Sequence, residues 1–217
     1  MCPTVWFYLA EIYRIQERCQ VAKISMIADA MDVSVQAASR MVRRMTDDGH
    51  LLHIPYQGTR LTPSGERIAL AMIRRHRIQE AYLVTALRFG WDEVHDLVES
   101  LEKGIEERVV ERMYELAGHP ARCPHGEPIP TANGEMPVIH DRVLVEWPEA
   151  TPCVVSRVRT HNPEMLRYLA SVELVPGASL HVVRHAPFNG PVFIERESGR
   201  LTVGNHLAQQ VFVMAPA

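Results

Sequence analysis

The chain has 217 residues, of which 47% are hydrophobic and 23% charged, which is ordinary for a folded globular protein and excludes a disordered one. No apolar run has the length of a membrane span, and the first residues lack the basic stretch of a signal peptide, so we expect neither. The four cysteines, Cys2, Cys19, Cys123 and Cys153, form no C-x-x-C pair. This argues against a zinc finger or a disulfide scaffold and fits a reducing cytoplasm.

Charge is distributed unevenly along the chain, although the net charge is only −3. Residues 1–75 hold ten Lys and Arg against seven Asp and Glu, a balance of +3. Residues 76–140 hold six against twelve, a balance of −6, and residues 141–217 hold seven of each. A basic front followed by an acidic middle suits a DNA-binding part joined to a cation-binding part. The alternative is chance asymmetry.

The front of the chain shows three helical periods, over residues 4–20, 23–33 and 35–47. Ser34 is a good N-cap for the third helix, and Gly49 ends it. In the third helix Val35, Ala38, Met41, Val42 and Met45 form an apolar stripe, which leaves a polar and basic face outward. Two short helices joined by a tight turn, the second of them basic, are typical of a helix-turn-helix.

Residues 50–62 predict two short strands around a Gln57-Gly58 turn. A hairpin directly after a helix-turn-helix is the wing of a winged helix, and Arg60 lies where a wing could reach a phosphate. The alternative is a structural three-helix domain that touches no DNA. We assign residues 1–62 to a winged-helix DNA-binding domain.

Thr62-Pro63 predicts the start of a long helix that runs to about Arg88. Its apolar surface is large for one free helix, so we expect part of it to meet another chain or domain. Asp92 predicts the N-cap of a following helix, and a break near Gly104 precedes one more helix that Gly118 closes. We assign residues 63–119 to a helical domain for dimerisation and metal binding.

Histidines and acids in this stretch recur at spacings of three and four: His76 with Glu80, His95 with Glu99, then Glu102 and Glu106. On a helix such spacings put side chains on one face, about 5–6 Å apart at Cβ. Two such faces packed together would gather imidazoles and carboxylates without sulfur, a set that favours Mn(II) or Fe(II) and leaves Zn(II) open. The alternative is a solvated acidic face with incidental histidines.

Residues 120–140 are rich in Pro and Gly and predict a linker or extended loop. Residues 141–217 hold five short runs of strand formers with one helical patch at 162–170, which predicts a small SH3-like, FeoA-like barrel. The predicted fold class is therefore mainly α with a small β domain: an N-terminal winged helix-turn-helix, a helical dimerisation domain and a C-terminal SH3-like β-barrel.

Several segments together resemble the diphtheria toxin repressor family, including its manganese-transport-regulator branch. They are YLAEIYRI, RMTDDGHL, LTPSG, RRHRIQE, EVHDLVESLE and CPHGEPIP. The resemblance covers essentially the whole chain. It implies a metal-activated, dimeric regulator with a winged helix, a helical domain that holds the metals and an SH3-like domain.

The resemblance also implies metal ligands, position by position. His76, Glu80 and His95 match the family's ancillary site, which His161 and Glu164 would complete from the SH3-like domain. The other family site is only partly kept. Glu99 and Glu102 stand at two of its positions, but Phe7 and Lys103 occupy the other two and cannot ligate a divalent metal. Glu11 is a candidate replacement for Phe7, and Glu106 for Lys103. Otherwise Lys103 forms an ion pair there and that site holds no metal.

On the DNA side, the positions that match the family's base-reading residues are Ser34, Gln36, Ala37, Ser39 and Arg40. Arg43 and Arg44 are expected to add contacts to phosphates, or to be solvent-facing charges with generic attraction. The sequence thus predicts a cytoplasmic, homodimeric, Mn(II)/Fe(II)-responsive repressor of metal-uptake genes that binds a palindromic operator in double-stranded DNA. The competing interpretations are a winged-helix regulator whose metal sites have decayed, and a metallohydrolase built on the His/Glu cluster.

Overall fold

The structure, a computed structural model, describes residues 3–102 and 104–216. It divides into two compact units, one of Met1–His76 with Pro130–Pro137 and one of Arg77–Ile129 with Val138–Ala217. Within the described residues, no helix is both long enough and apolar enough to span a membrane.

The first unit begins with three helices and a hairpin. Their bounds are α1 Pro3–Gln16, α2 Ile24–Ala30, α3 Val35–Asp47, β1 Leu51–Ile54 and β2 Gly58–Leu61. The helices pack on one another through a shared core, of which Leu9, Ile12, Ile27 and Met45 are wholly buried. This is the helix-turn-helix and wing that the sequence predicts.

The wing is anchored on the segment that follows α1. Ala22 and Thr59 exchange two backbone hydrogen bonds of 2.9 Å, so residue 22 extends the hairpin as a short third strand. A Cβ on Gly58 would lie 2.3 Å from the carbonyl oxygen of Ala22, and the φ of Gly58 is +138°. Only glycine fits this close approach of two backbones.

Three more helices follow: α4 Pro63–Thr85, α5 Val94–Leu101 and α6 Glu107–Leu116. Thr62 caps α4, because its hydroxyl oxygen accepts from the backbone N–H of Gly65 at 3.2 Å. The expected N-cap at Asp92 is wrong. Helix α5 begins two residues later, with Glu93 at the cap position. The Asp92 carboxylate instead accepts from Arg167 at 3.1 Å.

Most of the apolar surface of α4 is buried within its own chain. Ala69 belongs to the core of the first unit, and Ile78 and Ala81 pack against Val110 of α6 in the second. The boundary between the two units falls within α4, between His76 and Arg77.

The Pro/Gly-rich stretch has no helix or strand, yet residues 125–130 are all buried. An isolated bridge joins Arg122 to Pro128, and the backbone N–H of Val158 donates to the carbonyl of His125 at 2.8 Å. Residues 125–130 are therefore packed into the protein and are not a free linker. Their burial is tolerated because backbone polar groups here are paired with neighbouring backbone.

The last part of the second unit is a six-stranded antiparallel sheet in the order β3-β8-β4-β5-β6-β7. Its elements are β3 Arg142–Val143, β4 Thr151–Val158, α7 Pro163–Ser171, β5 Ser179–His185, β6 Val192–Arg196, β7 Gly199–Val203, α8 Asn205–Ala208 and β8 Val211–Met214.

The sheet encloses one apolar core, to which Leu144, Val182 and Val213 belong. The expected first strand, VLVEW, is mostly a 3₁₀ turn over Leu144–Glu146, and the sixth strand, β8, was not predicted. The SH3-like barrel itself is confirmed.

Candidate metal centre and DNA-binding face

Helix α3 presents its polar face outward, as the pattern predicts. Ala38, Val42 and Met45 are buried, but Val35 is 51% exposed, so its expected place in the buried stripe is wrong. Val35 is the first residue of α3, before the helix has turned into the core. The Ser34 hydroxyl caps the helix by accepting from the N–H of Ala37 at 3.2 Å.

The exposed side of α3 is basic. Gln36, Arg40, Arg43 and Arg44 are exposed, and Ser39 is half-buried beside them. A shallow cleft lies along this side, lined by Ser39, Arg40, Arg43, Arg44, Asp47 and Asp48. On the wing, Arg60 is exposed on β2 opposite Leu52. Exposed guanidinium and amide groups on the second helix of a helix-turn-helix can bind DNA phosphates and base edges.

A buried carboxylate, that of Glu80, lies at the centre of the histidine cluster. Glu80 is 1% exposed, and its two oxygens face different imidazoles. Oε1 is 3.4 Å from Nδ1 of His95, and Oε2 is 3.6 Å from Nδ1 of His125. A buried carboxylate is costly unless positive charge or hydrogen bonds compensate it.

Two sets of possible metal ligands share Glu80. One consists of His76, Glu80 and His95, and the other of Glu80, His125 and His161. Within each set, the ligand atoms lie within 4.8 Å of one another. The helical period places His76 one turn before Glu80 on α4, as the sequence predicts. His161, just before α7, stacks on His95 with ring centroids 3.7 Å apart.

His125 is held by both of its ring nitrogens. Nε2 lies 2.8 Å from the carbonyl oxygen of Trp91, which fixes Nε2 as the donor and turns Nδ1 toward Glu80. A ligating histidine usually donates its other N–H in this way. Burial by itself would lower the pKa of His125, but hydrogen bonds that the ring makes to Cys123 and Glu80 outweigh burial and raise that pKa.

A thiol adjoins the cluster, although the sequence suggested a set without sulfur. Sγ of Cys123 is 3.9 Å from Nδ1 of His125. Burial, and then the charge of Glu80, raises the pKa of Cys123. A metal held here would have to displace protons from its ligands.

The remaining predicted ligands lie outside both sets. Oε1 of Glu99 is 3.4 Å from Nε2 of His95, but the Glu99 side chain is 64% exposed. Glu102 is buried, and Glu164 is exposed on α7. Glu106 pairs with Arg108 at 2.7 Å.

At the N-terminal ligand position, Phe7 packs against Ala10, Met72 and Ile73, and Glu11 pairs with Arg14. Lys103, expected as an ion-pair partner or a lost ligand, lies outside the described residues.

Sequence reasoning missed His125 and Cys123 as members of the site. Both belong to the motif C-P-H-G, in which two metal-binding residue types are two apart. Their placement depends on the loop packing inside the second unit, which no helical or strand period reports. The motif itself was the available indication, because a Cys and a His in a loop of fixed shape can face one ion.

Comparison with protein families matches three parts of the chain. Residues 4–59 match "Iron dependent repressor, N-terminal DNA binding domain" and residues 62–131 match "Iron dependent repressor, metal binding and dimerisation domain". Residues 142–215 match "FeoA domain".

Individual relatives are similar over nearly the full length. The iron-dependent repressor IdeR of Mycobacterium tuberculosis (strain ATCC 25618 / H37Rv) is 29% identical over 225 residues, covering 98% of this chain and 97% of the relative. A solved manganese-dependent transcriptional repressor in complex with manganese is 34% identical, with a TM-score of 0.90 over 98% of this chain and 100% of that one. The manganese regulator SloR is 30% identical, with a TM-score of 0.81 over the full length of both chains.

Proposed function

We propose that this chain, which belongs to the diphtheria toxin repressor and manganese transport regulator family of metal-dependent transcriptional repressors, binds Mn(II) or Fe(II) at the Glu80 cluster and represses metal-uptake genes when that cluster is filled. The observation that carries the proposal is the buried Glu80 carboxylate facing imidazoles that come from separate segments of the fold.

The residues present fit a divalent metal of this class. Glu80, His76, His95, His125 and His161 offer one carboxylate and four imidazoles. Imidazole suits iron and zinc, and carboxylate suits manganese, so a mixed set is compatible with Mn(II) and Fe(II). A bound divalent ion would compensate the negative charge of the buried Glu80 carboxylate.

The ligands would connect segments that are distant in sequence. Helix α4 contributes His76 and Glu80, α5 contributes His95, the packed loop contributes His125, and the segment just before α7 contributes His161. Holding these side chains together restrains α4, and the same helix continues into the core that supports the DNA-binding helix. Metal therefore acts by favouring one conformation of the chain over others.

The DNA target would be a palindromic operator, because the protein acts as a homodimer and two recognition helices meet two half-sites. Helix α3 supplies Gln36 and Arg40 for base edges, with Arg43, Arg44 and the wing residue Arg60 for phosphates. Since its target is chromosomal DNA, we place the protein in the cytoplasm.

The burial of the cluster argues against a catalytic role. A hydrolytic metal needs an open coordination position beside a substrate cleft. Here Glu80 is 1% exposed and His125 is 0% exposed, so the core of the cluster offers no surface to a substrate. We propose that the cluster is regulatory and that the protein is not an enzyme.

The experiment is a selection of bound sequences from a randomised DNA library, with Mn(II) or with a chelator, for the wild type and for Glu80→Gln. We expect the wild type to enrich a palindromic sequence only with Mn(II). Glu80→Gln keeps the winged helix and should bind DNA without that metal-dependent enrichment. Enrichment of the same sequence under chelator would identify a metal-insensitive regulator instead.

A further inference from the structure

The carboxylate of Glu127 is surrounded by three arginines. Its Oε2 accepts from Arg77 and from Arg157, both at 3.1 Å, and its Oε1 accepts from Arg159 at 3.3 Å. These arginines come from α4, from β4 and from the residues just after β4. One side chain of the packed loop therefore joins the metal-bearing helix to the barrel.

Glu127 lies two residues after His125, and the residue between them is fixed in place. A Cβ on Gly126 would lie 2.3 Å from the carbonyl oxygen of Ser156, so the loop backbone is pressed against β4. Arg77, which directly follows His76, also donates to the carbonyl of Pro128 at 2.6 Å. The position of the His125 ring is therefore tied to how this loop is held.

Charge balance explains why a carboxylate is needed at position 127. Arg77, Arg157 and Arg159 donate to its two oxygens at 3.1, 3.1 and 3.3 Å, and three guanidinium groups at such distances stabilise the charged carboxylate. Without that charge, three neighbouring guanidinium groups would lose the carboxylate that they share. Removing one partner from such a buried group is far more costly than losing an exposed pair.

We propose that Glu127 is a positioning residue for the metal cluster: it does not ligate, but it holds the loop so that Nδ1 of His125 faces Glu80. This inference rests on the proposed metal binding at Glu80. Groups that orient ligands from outside the ligand set typically change metal affinity by about 10–100-fold when they are lost.

The test compares Glu127→Gln with a matched control, Asp141→Asn. Asp141 also accepts from Arg157, at 2.8 and 3.0 Å, but it lies on the barrel side and, among the described residues, is not bonded to α4 or to the loop. Calorimetric titration with Mn(II) should show a loss of about 10–100-fold for Glu127→Gln and an affinity close to wild type for Asp141→Asn. Equal affinities for all three proteins, or equal losses in both variants, would overturn the proposal.

A second measurement needs no metal. In chelator, amide hydrogen exchange of residues 122–130 should be faster in Glu127→Gln than in the wild type and unchanged in Asp141→Asn. If the wild type itself binds no Mn(II), the proposed function fails. The exchange experiment then still decides whether Glu127 holds the loop, and unchanged exchange refutes that.

Glu127→Asp covers the case in which Glu127→Gln does not fold. It keeps the charge but shortens the side chain by one methylene, so we expect a native circular dichroism spectrum with weakened Mn(II) binding. Wild-type affinity in Glu127→Asp, together with wild-type exchange of the loop, would contradict the positioning role.

Discussion

The imidazole of His161 lies flat against that of His95, with ring centroids 3.7 Å apart and an interplanar angle of 16°. His95 belongs to α5, and His161 precedes α7 in the barrel region. His161 is exposed, whereas Glu80 at the centre of the cluster is buried. The cluster is therefore closed on its outer side by a residue of the barrel region.

The first prediction distinguishes between His161 and Glu164, the two metal ligands expected from the barrel region. His161→Ala removes a member of the second ligand set and should weaken Mn(II) binding by at least about tenfold, or ~1.4 kcal/mol. Glu164→Ala is the matched control, because Glu164 lies on the neighbouring α7 and belongs to neither set. Calorimetric titration measures both variants. A larger loss in Glu164→Ala would show that the barrel contributes its ligand from the helix.

The second prediction concerns base reading by α3. Gln36→Ala and Arg40→Ala should each weaken binding to the selected operator by about 1–3 kcal/mol, with a smaller effect on random DNA. Arg43→Ala is the comparison, and it should weaken both DNAs alike because a phosphate contact carries no sequence information. Fluorescence anisotropy at fixed salt gives the affinities. Equal losses on both DNAs for Gln36→Ala would show that Gln36 does not read bases.

The fold of the front half could be predicted because its elements are local. In α3 the spacing of Ala38, Val42 and Met45 fixes the buried face, and the Ser34 cap fixes the start, so the predicted and observed bounds agree. Strand β8 was missed because its four residues form a strand only by pairing with β3 and β4, which are distant in sequence. Propensity does not report such pairing.

The metal cluster likewise has some members that follow from local spacing and others that depend on distant contacts. His76 and Glu80 were predictable from a helical period alone. The approach of His125 depends on Gly126 lying against β4 and on Glu127 meeting three arginines, none of which is visible from residue spacing. His161 was predicted from the family resemblance, because no local spacing pattern includes it.

The third prediction concerns the dimer. Several large apolar side chains of the helical region remain exposed on the single chain, namely Leu87, Phe89, Leu101, Val109 and Leu116. Sedimentation should give a dimer of about twice 24.6 kDa. Val109→Glu should shift it toward monomer, because a charge would then be buried in an apolar interface.

Tyr168→Glu is the control for this experiment. Tyr168 is 48% exposed on α7, and Val109 is 42% exposed on α6, so the two changes add the same charge to comparably exposed positions. The Tyr168 variant should remain dimeric. If it dissociates while Val109→Glu does not, the interface lies on the barrel region.

The fourth prediction follows from a buried thiol in the barrel core. Burial raises the pKa of Cys153 to about 12, and its side chain is 1% exposed. The thiolate is the reactive form, so at about pH 8 Cys153 should resist iodoacetamide in the folded protein. Cys19 is exposed and should be modified. Peptide mass spectrometry compares the two, and similar rates would show that the barrel opens readily.

The fifth prediction ranks the two metal sites expected from the family. His76, Glu80 and His95 lie together as one set. At the other site Phe7 occupies one ligand position, and its ring packs among apolar side chains. We therefore expect the His76 set to dominate. His76→Ala should remove both high-affinity Mn(II) binding and metal-dependent DNA binding.

Glu99→Ala provides the decisive comparison with His76→Ala. The Glu99 side chain is 64% exposed and meets the cluster at Nε2 of His95, 3.4 Å away, so its loss should have the smaller effect on Mn(II) affinity. Calorimetry measures the Mn(II) affinity of both variants, and fluorescence anisotropy measures their binding to the selected operator. Together the two measurements show which metal site is dominant. If His76→Ala binds Mn(II) like the wild type while Glu99→Ala does not, the metal that controls DNA binding lies at the Glu99 site. In that case Glu11 or Glu106 supplies what Phe7 and Lys103 cannot.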